Sequence, residues 1–140
     1  MTSTHASTAV RPQEGARVWL SRFLALDAAV TGANGIAYLV ASEPVGEMLG
    51  VGSDLLFGLG VFLLAFAVAV AVVSTRPTPP AAAVTAVIDA NLVWTVLSFL
   101  TLLLWLDAPT TLGTVWIPMQ AMTVGGFAAL QFVALRRSRG

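Results

Sequence analysis

Four long apolar runs, separated by short polar stretches, set the pattern of this chain. They fall at about 18–41, 55–75, 81–106 and 111–135. Each reaches the roughly 20 residues that let a helix rising 1.5 Å per residue cross about 30 Å of hydrocarbon. None carries the polar face that a surface helix of a water-soluble bundle needs. The pattern predicts an all-α membrane protein, a bundle of four transmembrane helices spanning residues 17–136. Residues 1–16 are polar and aperiodic and read as a disordered tail; 137–140 form a short basic tail. The first apolar run starts late and is as long as a span, so no signal-peptide cleavage is expected.

The connections differ in kind. Between spans two and three lies Arg76-Pro77-Thr78-Pro79-Pro80. Proline fixes φ and blocks helix continuation, so this loop should be stiff and hold those spans as antiparallel neighbours. The loop after span one, SEPVGEMLGVGSD, is longer. Ser42 suits a helix cap and Pro44 a first helical turn. Val45, Met48 and Leu49 would then share one face, which predicts a short interfacial helix. The last loop, DAPTT, reads as a turn.

Composition agrees: 57% of residues are hydrophobic and 10% charged, against about 45–50% and about 25% in soluble domains. Charge then sets an orientation. All seven basic residues are Arg. Arg11, Arg17 and Arg22 precede or open span one, Arg76 follows span two, and Arg136, Arg137 and Arg139 follow span four. The other two loops hold only Glu43, Glu47, Asp54 and Asp107. The positive-inside rule counts Arg and Lys in short loops, so both termini are expected in the cytoplasm and the protein in the plasma membrane. Trp19 then falls at the inner interface, and Trp105 and Trp116 at the outer one.

What is missing narrows the chemistry. Without Lys there is no Schiff base; without Cys, no thiolate metal site or dithiol redox pair. The single His, His5, lies in the tail, away from any axial haem position or intramembrane proton relay. No cofactor, metal or nucleic acid is expected. The C-terminal arginines read as an anchor on anionic lipid.

The candidate chemistry is therefore the polar residues inside the spans. A central Asp costs roughly 2.5–3.5 kcal/mol on translocon scales, and two occur. Asp27 lies eight residues past Trp19, and Asp89 eight past Ala81. Both are thus about 12 Å from the cytoplasmic start of their spans, where they would face each other. Asp27, Thr31, Asn34 and Tyr38 share one helical face, flanked by Gly32 and Gly35, which allow close helix approach. On span three, Asn91, Thr95 and Ser98 form a stripe beside Trp94, and Asp89 points about 200° away from Asn91. On span four, Gln120, Val124, Phe127 and Gln131 align, near Pro118 and Gly125-Gly126. Span two is apolar and reads as lipid- or oligomer-facing.

Two uses fit these residues. One is a polar cavity between spans one, three and four with Tyr38, Trp94 and Phe127 as an aromatic wall, in which Asp27 or Asp89 takes a proton or holds a cation. The other is interhelical glue, worth about 0.6 kcal/mol per bond on average, with Asp27 paired to Arg22 or Arg17. A weak internal repeat also shows: Leu26-Asp27-Ala28 matches Ile88-Asp89-Ala90, and Asp27 to Arg76 spans 49 residues where Asp89 to Arg136 spans 47.

The runs LDAAVTGANGIAYLV and EPVGEMLGVGSDLLFGLGVFLL, with Asn91 and Trp94 in span three, resemble a group of small four-helix membrane proteins of actinobacteria with no assigned activity. The resemblance implies topology alone. A looser analogy links the chain to small multidrug-resistance transporters, which also carry a carboxylate in the first of four helices. Those proteins typically have Glu within a motif absent here, and often a weaker charge bias.

Three functional classes remain. The first is a membrane-embedded binding or transport protein for a small lipophilic or cationic molecule, with Asp27, Thr31, Asn34, Tyr38, Asp89, Asn91, Trp94 and Gln120 as candidate ligand contacts. The second is a non-catalytic accessory subunit of a membrane oligomer or complex. The third and least supported is a lipid- or quinone-directed enzyme, since no metal set or nucleophile–base pair is present.

Overall fold

A computed structural model describes the backbone of residues 2–104 and 110–139 and, within these, the side chains from Pro12 onward. The expectations for Trp105, Asp107 and most of the last loop lie outside the described residues, as do the side chains of His5 and Arg11. Five helices appear, α1 (Thr2–Val40), α2 (Ser42–Leu49), α3 (Ser53–Ser74), α4 (Ala81–Leu104) and α5 (Thr111–Arg139), with no strand among the described residues. Four segments are long and apolar enough to cross a membrane: Pro12–Val40, Ser53–Ser74, Ala81–Leu104 and Thr111–Arg139. The outward side chains are themselves apolar, including Ile36, Phe57, Val61, Val68, Val93 and Val115. A molecule whose outer surface is Val, Leu and Phe suits hydrocarbon, not water.

At its start α1 departs from expectation. Its backbone is helical from Thr2, through the segment read as a disordered tail. The span already supplies a helix nucleus, so further turns containing Ala6, Ala9, Gln13 and Glu14 extend it without a new nucleation cost.

The short helix forms as predicted, but its start differs. Ala41, not Ser42, occupies the N-cap, with no side-chain cap bond. Only one residue separates α1 from α2, and the Ala41 amide still bonds back to Ala37 O at 2.9 Å. Ser42 is thereby drawn into the first turn. Gly50, in the left-handed conformation at φ 73°, ends α2, as a C-terminal glycine commonly does. The buried face is Gly46 and Leu49, with Met48 exposed. Thr110 fastens this helix to α5: it donates from Oγ1 to Met48 O and from its amide to Leu49 O, and accepts from Gly113 N. Gly113 lies so close to the Leu49 carbonyl that a Cβ there would overlap it.

Helix α1 packs along both α3 and α5, α4 packs along α5, and α3 and α4 meet only marginally. The proline loop therefore does not make spans two and three close neighbours along their length. Near that loop all four long helices share a core that includes Leu20, Leu24, Val70, Val84, Val87 and Ile88. Toward α2 the core narrows to Tyr38, Leu56 and Leu63, with Trp94 at its edge. Span two is not peripheral either. At Gly35 a Cβ would sit 3.1 Å from Gly60 O, so α1 and α3 approach backbone to backbone. The repeat in sequence is not kept in packing: α1 contacts α5 closely, while the equivalent pair, α4 and α3, barely touch.

Candidate functional site

Helical periodicity puts Asp27, Thr31, Asn34 and Tyr38 on one face of α1, and the bundle splits that face into two environments. The first is a sealed polar cluster. Asp27 is 1% exposed. Its Oδ1 accepts from Thr31 Oγ1 at 3.0 Å, and its Oδ2 from Asn91 Nδ2 at 2.7 Å and Gln131 Nε2 at 2.8 Å. Asn91 Nδ2 also donates to Gln131 Oε1 at 3.2 Å. The Asp27 carboxyl thus accepts three bonds through its two oxygens, all from neutral side-chain donors. It does not pair with Arg22, whose guanidinium lies over the Trp19 ring at 5.1 Å. Gln131, completely buried, was visible in sequence only as the last member of the span-four stripe. Its role depends on α5 lying against α1.

The second environment is a cavity of about 480 Å³ between α1, α3, α4 and α5. Thr31 and Asn91 form its floor and separate it from Asp27, which is not among its lining residues. Its walls are aromatic. Phe62 stacks with Phe66 and with Trp94, both at centroid distances of 6.2 Å, and Trp116 and Phe127 complete the lining from α5. The Trp116 ring lines the cavity, and its Nε1 donates to Tyr38 Oη at 3.0 Å. That bond satisfies two polar groups in an apolar surrounding.

Every polar side chain lining the cavity except Asn34 has a hydrogen-bond partner. Thr31 and Asn91 are held in the Asp27 cluster, and Tyr38 holds Trp116. Trp94 Nε1 donates to Gln120 Oε1 at 2.9 Å, and Gln120 Nε2 to Ser98 Oγ at 3.1 Å. Thr123 bonds Met119 O. The Asn34 amide, half-buried on the cavity wall, enters none of these bonds. A primary amide has two donors and two acceptor sites, and nothing apolar can meet them.

The structure brings together seven of the eight candidate contacts: Asp27, Thr31, Asn34, Tyr38, Asn91, Trp94 and Gln120. Asp89 is the exception. It is exposed on α4, where Thr85, Ala86 and Leu92 are exposed too, and it neither lines the cavity nor joins the buried Asp27 cluster. The reason is angular: Asn91 points into the bundle, and two residues is about 200° of helix. Helix α3 supplies Leu59, Phe62, Leu63 and Phe66, a contribution unreadable in a span without polar residues. Among the described residues no group of His, Cys, Asp or Glu could hold a metal ion. Comparison with protein families, with curated proteins and with solved structures returns no match to this chain.

Proposed function

We propose that this multi-pass membrane protein binds a small, uncharged lipophilic molecule in the cavity between α1, α3, α4 and α5. The observation that carries the reading is the unengaged Asn34 amide within an aromatic chamber of about 480 Å³. A cavity of that size falls in the range of small-molecule sites, which pair apolar walls with a few placed polar groups. None of its lining residues is charged, which favours a neutral occupant over the cationic one. An occupant with one carbonyl or hydroxyl would meet Asn34, while its ring system lay against Phe62, Trp94 and Phe127. Because Asp27 is walled off and Asp89 faces outward, neither carboxylate reaches the chamber, so binding fits better than acid–base catalysis. Seven arginines at one end support a cytoplasmic location for both termini.

The test is native mass spectrometry of gently purified protein beside an Ala90→Trp variant, which fills the chamber from α4. The wild type should retain a neutral small molecule that Ala90→Trp lacks, with equal helicity by circular dichroism. Equal occupancy in the two would sink the assignment.

Asp89 favours a second role, as a subunit of an oligomer or complex. A carboxyl about 12 Å along a membrane helix, on an exposed face whose other polar residue nearby is Thr85, is satisfied best by a neighbouring helix that supplies a donor. Chemical cross-linking in membranes should trap a higher-mass species that Asp89→Leu weakens; an unchanged monomer band would exclude this role.

A further inference from the structure

At the arginine end a second hollow has a different chemistry. One stretch of α1, the proline loop and the end of α5 border a hollow of about 430 Å³ lined by Gln13, Arg17, Leu20, Thr78, Pro79, Leu135, Ser138 and Arg139. Two guanidiniums from opposite ends of the chain thus meet around one space, and none of its lining residues is acidic. Thr78, Gln13 and Ser138 add polar groups. The floor is apolar: Leu20 is fully buried, and Pro79 is buried beside it.

We infer that this hollow binds the phosphate of an anionic lipid headgroup. Guanidinium presents a planar fork of donors that matches phosphate oxygens in pairs, and basic hollows between membrane helices at the headgroup level are suited to such lipids. A free phosphate ion would use the arginines alone. The apolar floor of Leu20, Pro79 and Leu135 adds a surface that only an amphiphile exploits, and the hollow lies where the spans end. Three proline residues in the loop keep Thr78 and Pro79 in place without ligand, so little ordering cost attaches to binding. The inference rests on the membrane-spanning reading and is independent of what fills the aromatic chamber.

Thermal unfolding of the detergent-purified full chain tests it, with phosphatidylglycerol, phosphatidylcholine and inorganic phosphate added separately. Phosphatidylglycerol should raise Tm saturably, and the other two should not. Arg17→Gln/Arg139→Gln should weaken the apparent affinity by roughly tenfold or more, since both charged donors to the phosphate are lost. Arg17→Lys/Arg139→Lys keeps the charge and the fold and should still lose part of the effect, because lysine cannot pair in a fork. Arg22→Gln/Arg76→Gln removes the same charge at residues that neither line the hollow nor belong to the C-terminal arginine cluster, and should retain the shift. Equal loss in both Gln pairs, or an equal shift from phosphatidylcholine, would overturn the site. A full shift from inorganic phosphate alone would overturn the lipid assignment.

Discussion

Asp27 and Asn34 lie seven residues apart on one face of α1, yet their surroundings are opposite. Around Asp27 all four long helices close, and three donors converge on one carboxylate. Around Asn34, α3 and α4 stand apart, the walls are aromatic, and the amide is unengaged. The same residue class, polar groups in hydrocarbon, thus serves two ends. Where every bond is made within the chain, the group fixes helix packing. Where a bond is left open, as at Asn34, the group is available to the occupant we propose.

Substitutions can break or sharpen this contrast. The largest effect belongs to Asp27→Leu, which strands the donors of Thr31, Asn91 and Gln131. It should destabilise by about 2 kcal/mol if each bond has the average membrane value, and by up to about 5 kcal/mol if the donors cannot be satisfied elsewhere. Denaturant unfolding in mixed micelles followed by circular dichroism measures it. An Asp27→Leu protein as stable as wild type would mean the cluster does not hold the bundle together.

Asn91→Leu touches both regions and should cost about 1–2 kcal/mol, since two hydrogen bonds go while Thr31 and Gln131 still serve Asp27. It should also weaken ligand retention by removing half of the cavity floor. Trp94→Phe keeps the stacked ring but loses the bond to Gln120; a loss of roughly 0.5–1 kcal/mol is expected in the same unfolding assay. Asn34→Leu should leave stability unchanged or slightly raised while abolishing the retained molecule in native mass spectra. That pairing, function lost and stability kept, is the reverse of Asp27→Leu and is the sharpest check on the division. Asp89→Leu should do least to the isolated chain, with unfolding unaltered and only cross-linked species reduced.

Much of the site was legible because helical periodicity is local. The i, i+4, i+7, i+11 spacing was enough to align Asp27, Thr31, Asn34 and Tyr38, and the same reasoning paired Gln120 with Phe127. Gln131 was visible as a stripe member but not as a partner of Asp27, because the two are 104 residues apart and only the packing of α1 on α5 joins them. Phe62 and Phe66 carried no signal at all: an aromatic residue in an apolar span looks alike whether it faces lipid, a neighbour or a cavity. The expectation that Asp89 faces Asp27 failed for a related reason. Depth follows from counting residues, but facing requires the rotation of each helix about its axis.

The sequence by itself determined the number of helices long enough to cross a membrane, their approximate limits, the short helix after span one and the gathering of arginines at one end. These depend on hydropathy, length and charge, which are properties of contiguous residues. Tertiary structure alone decided which helices touch, and hence which polar residue is sealed, which is left open in the chamber, and which is turned outward on α4. Hydrocarbon solvates every apolar helix face about equally well, so hydropathy cannot say which face turns inward. Close backbone approach, as at Gly35 and Gly60, and the pairing of scarce polar groups make that choice, and both exist only once the helices have met.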